Sequence, residues 1–111
     1  MTITEFLEAR IDEDEERASS GWSRLGDTRW ETNNYGQDHL TPAAVLAECV
    51  AKRAIITLFG ECHDQALTAK NLETEFALTG MEEGLGLAVR SLSTAYKDHA
   101  DYQQDWALTS V

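Results

Sequence analysis

The chain has 111 residues, an apolar share of 42% and a formal net charge of −11. That is enough for one domain with one core, and too apolar for disorder throughout. Its charge disfavours direct binding to nucleic-acid phosphates or anionic membrane and favours a partner with a basic or mixed surface.

Two cysteines, Cys49 and Cys62, do not make a disulfide scaffold. The sequence opens with no basic-then-apolar leader, and its apolar runs are far shorter than a membrane span. These features predict a cytoplasmic protein with reduced thiols.

The first predicted helix begins near Thr2. Thr2 and Glu5 have capping-box spacing, and Ile3, Phe6, Leu7 and Ile11 share one face. The apolar stripe then stops. Asp12, Glu13, Asp14, Glu15 and Glu16 follow as an outward acidic spur, a candidate surface for a basic partner. Ser19, Ser20 and Gly21 end the helix.

Residues 21–40 read as an irregular excursion or a short β-hairpin. Gly26, Asn33, Asn34 and Gly36 are turn formers, and Arg29 to Thr32 form a candidate strand, with a turn at 33–36 leading into a second. The stretch also carries Trp22, Trp30 and Tyr35. Exposed Trp and Tyr favour interfaces; the competing reading is that they cap the ends of a small core.

Thr41-Pro42 opens a second helix, with Thr as N-cap and Pro in the first turn. Ala43 to Phe59 are apolar on most sides, with Glu48, Lys52 and Thr57 marking a narrow polar face. A third helix is predicted from about Glu61 to Thr79, with a stripe of Cys62, Ala66, Ala69, Leu72 and Phe76. Gly80 is its predicted cap. A fourth runs from about Met81 to Tyr96, with Met81, Leu85, Ala88, Val89, Leu92 and Tyr96 inward. In the polar tail, Tyr102 and Trp106 are four apart and share a face if a helical turn forms. The expectation is a mainly α fold over residues 1–111: a small four-helix bundle with the insertion after helix 1.

Three segments together carry a resemblance: Thr2 to Glu15, Pro42 to Ile56 and Ala95 to Trp106. Their order and spacing resemble an uncharacterised family of small actinobacterial and actinobacteriophage proteins, a domain of unknown function. The resemblance implies an actinobacterial cell, during phage infection. It implies no catalytic residues. The chain departs from the family pattern in having Ala100 where proline is common, and fewer cysteines between the second and third segments.

No catalytic or metal motif stands out. His39, His63, His99 and Cys62 lack recognised ligand spacing, so no metal or cofactor is expected. The Asp98-His99-Asp101 region is the best acid–base cluster, yet no nucleophile sits in a recognisable motif. Gly80, Gly84 and Gly86 lack the Lys-Ser/Thr of a phosphate loop. The favoured expectation is a non-enzymatic protein–protein interaction module, as a phage-encoded modulator of a host protein. Its candidate interface is Asp12 to Glu16 with Trp22, Trp30, Tyr35, Tyr102 and Trp106. The alternatives are an acidic nucleic-acid mimic that blocks a DNA-binding protein, and a small enzyme or metal protein built on Asp98, His99 and Asp101. Pairing with a second copy stays open, because the first helix has only two turns of apolar stripe.

Overall fold

The computed structural model describes residues 1–25, 29–31 and 39–108. In chain order the elements are α1 (Ile3–Ser19), β1 (Ser23–Leu25), β2 (Arg29–Glu31), β3 (His39–Leu40), α2 (Pro42–Leu67) and α3 (Leu72–Ser93). Two 3₁₀ turns follow, Thr94–Tyr96 and Gln104–Trp106. The fold is mainly helical and elongated, 55 × 26 × 25 Å.

The start of α1 follows from its sequence. The Thr2 hydroxyl accepts from the Glu5 N–H, and the Glu5 carboxylate accepts from the Thr2 N–H. These two bonds satisfy backbone donors that a helix end leaves open. At the other end the Gly21 N–H bonds the Ala18 carbonyl and the Trp22 N–H bonds the Arg17 carbonyl. That pattern needs a left-handed residue after the cap, and Gly21 supplies it at φ 89°. At α2, Thr41 caps the N–H of Ala44 and Pro42 takes the first position.

After α1 the chain forms a three-stranded sheet in the order β2-β1-β3. β1 pairs antiparallel with β2, Arg24 opposite Trp30, and with β3, Arg24 opposite Leu40. The candidate strand at Arg29 is therefore present, but its partner precedes it. The expected turn at 33–36, with Tyr35, lies outside the described residues.

The described residues hold three α-helices where four were expected. Gly60 lies inside α2 and Gly80 inside α3. Neither needs a positive φ, so each helix runs on, at roughly 1 kcal/mol relative to Ala. The reversal falls instead at residues 68–71. Thr68 ends α2, its hydroxyl bonding the Asp64 and Gln65 carbonyls. Asn71 then caps α3 through the Thr74 N–H, with Glu73 and Glu75 in the first turn beside the helix dipole. An N-cap outweighs a glycine as a break because it closes open donors, whereas glycine only weakens a helix.

The core gathers Phe6, Leu7, Ile11 and Ala18 of α1, Val45, Cys49 and Ile56 of α2, Val89 of α3, and Tyr96. From His63 to Ala88 no side chain is buried. Leu67, Leu72, Phe76, Met81 and Leu87 stand between 55% and 73% exposed there. Met81 was expected inward, and Leu85, Ala88 and Leu92 are only partly buried. The inward stripe of α3 is therefore narrower than expected.

Candidate functional site

Lys52 is 8% exposed and shares the buried face of α2 with Val45, Cys49 and Ile56. The outward face is Ala47, Val50, Ala51, Ala54, Thr57 and Leu58. This corrects the expected polar face. A buried ammonium must be paired, and around it an ionic network has formed. The Lys52 ammonium lies 2.7 Å from Glu48 and donates to the Tyr96 phenol oxygen at 3.1 Å. The Tyr96 hydroxyl donates to Asp14 at 2.7 Å. Arg24, on β1, closes the set by donating to Glu48 at 2.7 Å and standing 3.9 Å from Asp14. Helix α1, the sheet, α2 and the segment after α3 each supply a member.

The charges of this network are tuned in opposite directions. Burial pushes the Asp14 carboxyl above its usual range, against the pull of the Tyr96 hydroxyl and nearby cations. Burial also opposes the charge on Glu48, but Arg24 and Lys52 outweigh it and hold that carboxyl low. Tyr96 is pushed far up by burial and by Asp14, so its phenol stays protonated and acts as a donor.

Beside the network opens a cleft of about 540 Å³ lined by Arg10, Glu13, Asp14, Arg17, Trp30, Tyr96, Asp98 and His99. Arg10 is 8% exposed, lies over the Phe6 ring, and bonds both Glu13 and His99. The Arg17 guanidinium stands 5.4 Å from the centre of the Trp30 ring. The fold thus brings Asp98 and His99 to the rim of a real concavity. At His99 the Nδ1 atom faces the Asp101 backbone N–H, not its carboxylate. Arg10 and this N–H are both donors, while a neutral imidazole offers one acceptor nitrogen, so only one contact bonds at a time. Asp101 therefore does not orient His99 as a base. Among the described lining residues there is no serine, threonine, cysteine or lysine. Among the described residues no group of three or more His, Cys, Asp or Glu could hold a metal ion.

The acidic block is largely engaged within the chain. Asp14 is 5% exposed, so it does not belong to an outward spur. Asp12 and Glu15 both hold Arg53 of α2, at 2.5 and 2.8 Å, and Glu13 holds Arg10 at 3.1 Å. Of the aromatic candidates, Tyr102 and Trp106 pack on Phe6, with ring centres 6.2 and 5.0 Å from it and 5.6 Å from each other. Trp30 is partly buried and Trp22 is 37% exposed. Tyr35 lies outside the described residues. The missed residues are Arg10, Arg24, Glu48, Lys52 and Tyr96. Lys52 carried a usable signal: it falls at helical spacing with Val45, Cys49 and Ile56.

Among the described residues no helix is long and apolar enough to cross a membrane. Neither the curated proteins nor the solved structures contain a match to the chain. A family of unknown function, DUF6221, matches residues 1–108. With nearly the whole chain matched, the protein belongs to the DUF6221 family.

Proposed function

We propose that this chain is a non-enzymatic interaction protein whose acidic surface binds a protein partner carrying a basic or mixed patch. One observation supports the reading most. Thirteen carboxylates are exposed, on α1, the helical hairpin and the C-terminal turns, against three cations, Arg17, Lys70 and Lys97, among residues with described side chains. Arg10, Arg24, Lys52 and Arg53 are engaged with carboxylates or Tyr96, and Arg90 with backbone carbonyls. The internal pairing engages Asp12 and Glu13 with Arg53 and Arg10 and leaves most of the other exposed carboxylates without a cation among the described residues. Such a field steers basic partners and raises their association rate. The resemblance to actinobacterial and phage proteins extends the reading to a phage-encoded modulator acting on a host protein in the cytoplasm.

The test uses Glu8 and Glu16, which are exposed and hold no cation in the described structure. The full-length chain and a Glu8→Lys, Glu16→Lys variant are used as baits in actinobacterial lysate. A specific protein retained by the first and weakened on the second supports the reading. Failure to retain any protein, or equal retention by both, overturns it.

A second reading, the nucleic-acid mimic, draws on the same surface. Glu5, Glu8, Asp12, Glu13 and Glu16 are all exposed within about three turns of α1, a run of acids along roughly 16 Å, of which Asp12 and Glu13 are partnered by Arg53 and Arg10. A captured DNA-binding protein that duplex DNA displaces would favour the mimic.

A further inference from the structure

We infer that the side of the α2–α3 hairpin facing away from α1 is a self-association surface, occupied by the same surface of a second copy. In α3, Leu78, Met81, Leu85, Ala88 and Leu92 recur at alternating steps of three and four, the spacing of a helix-pairing seam, and Ala95 in the 3₁₀ turn that follows continues it. None of the six is fully buried; Leu92 and Ala95, at the far end, also pack against the core. In α2, Ala44, Ala51, Leu58 and Gln65 recur every seven residues, and none of these is buried either.

Contacts elsewhere show that the two seams lie on the same side. Arg53 points from α2 to Asp12 and Glu15 of α1. At about 100° per residue, Ala51 and Leu58 lie about 140–160° around the helix from it. Arg90 points from α3 to the carbonyls of Trp106 and Ala107, and Trp106 packs on Phe6 of α1. Met81, Leu85 and Leu92 lie about 140–180° from Arg90. Over Leu78 to Ala88 of α3, and over Ala51 and Leu58 of α2, the seams therefore face away from α1 and form the open side of the hairpin; only the Leu92–Ala95 end reaches the core.

Area and charge both favour a second copy as the occupant. The two seams span about 30 Å along the helices and about 20 Å across them, or on the order of 600 Å². That approaches the ~800 Å² each partner contributes to a standard interface, and it reaches the upper size of patches on monomers. The seam residues carry no charge, in a chain of net −11. Two such chains repel except where neither presents carboxylates, and a basic partner gains no ion pair there. A two-fold axis sets seam against seam and closes four helices, two from each copy, around one apolar layer.

Sedimentation equilibrium of the full-length chain at micromolar concentration tests this. The expected mass is twice the 12.4 kDa of one chain. A Leu58→Arg, Leu85→Arg variant is expected to halve the mass while keeping its helical circular dichroism, because neither side chain is fully buried. Should that variant unfold, cross-linking decides the matter. Single cysteines in place of Ala51, Met81 or Ala88 are expected to join two chains through a short bis-maleimide at one position at least, and one in place of Glu8 is not. A monomeric wild type, a dimer that survives both arginines in folded form, or cross-linking confined to the Glu8 position would overturn the inference. So would a monomer that uses Leu85 to bind a different protein. The outcome is separable from the acidic-surface reading: a dimer that captures no partner removes that reading only, and a monomer that captures one through Glu8 and Glu16 removes this one only.

Discussion

The two sides of the α2–α3 hairpin both carry apolar residues at helical spacing and are opposite in fate. On one side α1 covers the helices, so Leu7 and Val45 are fully buried and even Lys52 and Arg24 are enclosed. On the other side, Leu58 is 49% and Met81 55% exposed. Helical spacing of apolar residues therefore predicts a face able to be buried, not one that is. The enclosed side is also where charge is expensive. Its cations are tied to Glu48, Asp14 and Tyr96, while the outward carboxylates are left to solvent.

Substitutions can break or sharpen that contrast, and the largest effect is expected on the covered side. Leu7→Ala removes a fully buried side chain and should cost about 3–4 kcal/mol in urea unfolding. A loss below about 1 kcal/mol would mean that α1 is not truly packed.

Next comes the ionic network. Glu48→Gln leaves Lys52 and Arg24 enclosed without their nearest carboxylate. Breaking a buried pair costs about 3–5 kcal/mol; Glu48 keeps a side chain 31% exposed, so about 2–3 is expected. A thermal midpoint unchanged by the substitution would show that the network contributes little.

Acid separates the two kinds of carboxylate. Burial opposes the charge on Glu48 but Arg24 and Lys52 hold it low, and Arg53 holds Glu15 low. Both contribute stability that is complete above the ordinary carboxylate range, about pH 4.3, and lost as pH falls through their depressed values. Asp14 runs the other way. Burial raises it, so the cost of its charge disappears as pH falls from the raised value toward the ordinary one near 3.9. Asp14→Asn removes that compensating gain. As pH falls toward the ordinary aspartate range, the variant should lose stability faster than the parent. Parallel pH profiles would contradict the assignment.

The smallest effect is expected at the tip of the hairpin. Phe76 is 69% exposed, and Phe76→Ser should change stability by no more than about 0.5 kcal/mol. A much larger loss would show that something covers this region in solution.

Legibility followed the range of the interaction. The caps at Thr2 and Thr41 were readable because each depends on residues three positions apart. The reversal at 68–71 was equally local but was obscured by Gly80, a stronger stop signal by composition than Asn71. The ionic network was not readable: Asp14 and Tyr96 are 82 positions apart, and Arg53 reaches back 38 and 41 positions to Glu15 and Asp12. The same distance hid the fate of Tyr102 and Trp106, whose partner Phe6 lies at the other end of the chain.

By itself the sequence determined a mainly helical chain, the first turns of α1 and α2, and a strongly negative charge, because caps, periodicity and composition are properties of neighbouring residues and sums. Tertiary structure alone decided which apolar stripe is covered, which acids are engaged, and that a lysine would lie inside. Those outcomes depend on which distant segments meet, and a single helix of 17 residues can cover only one side of a hairpin.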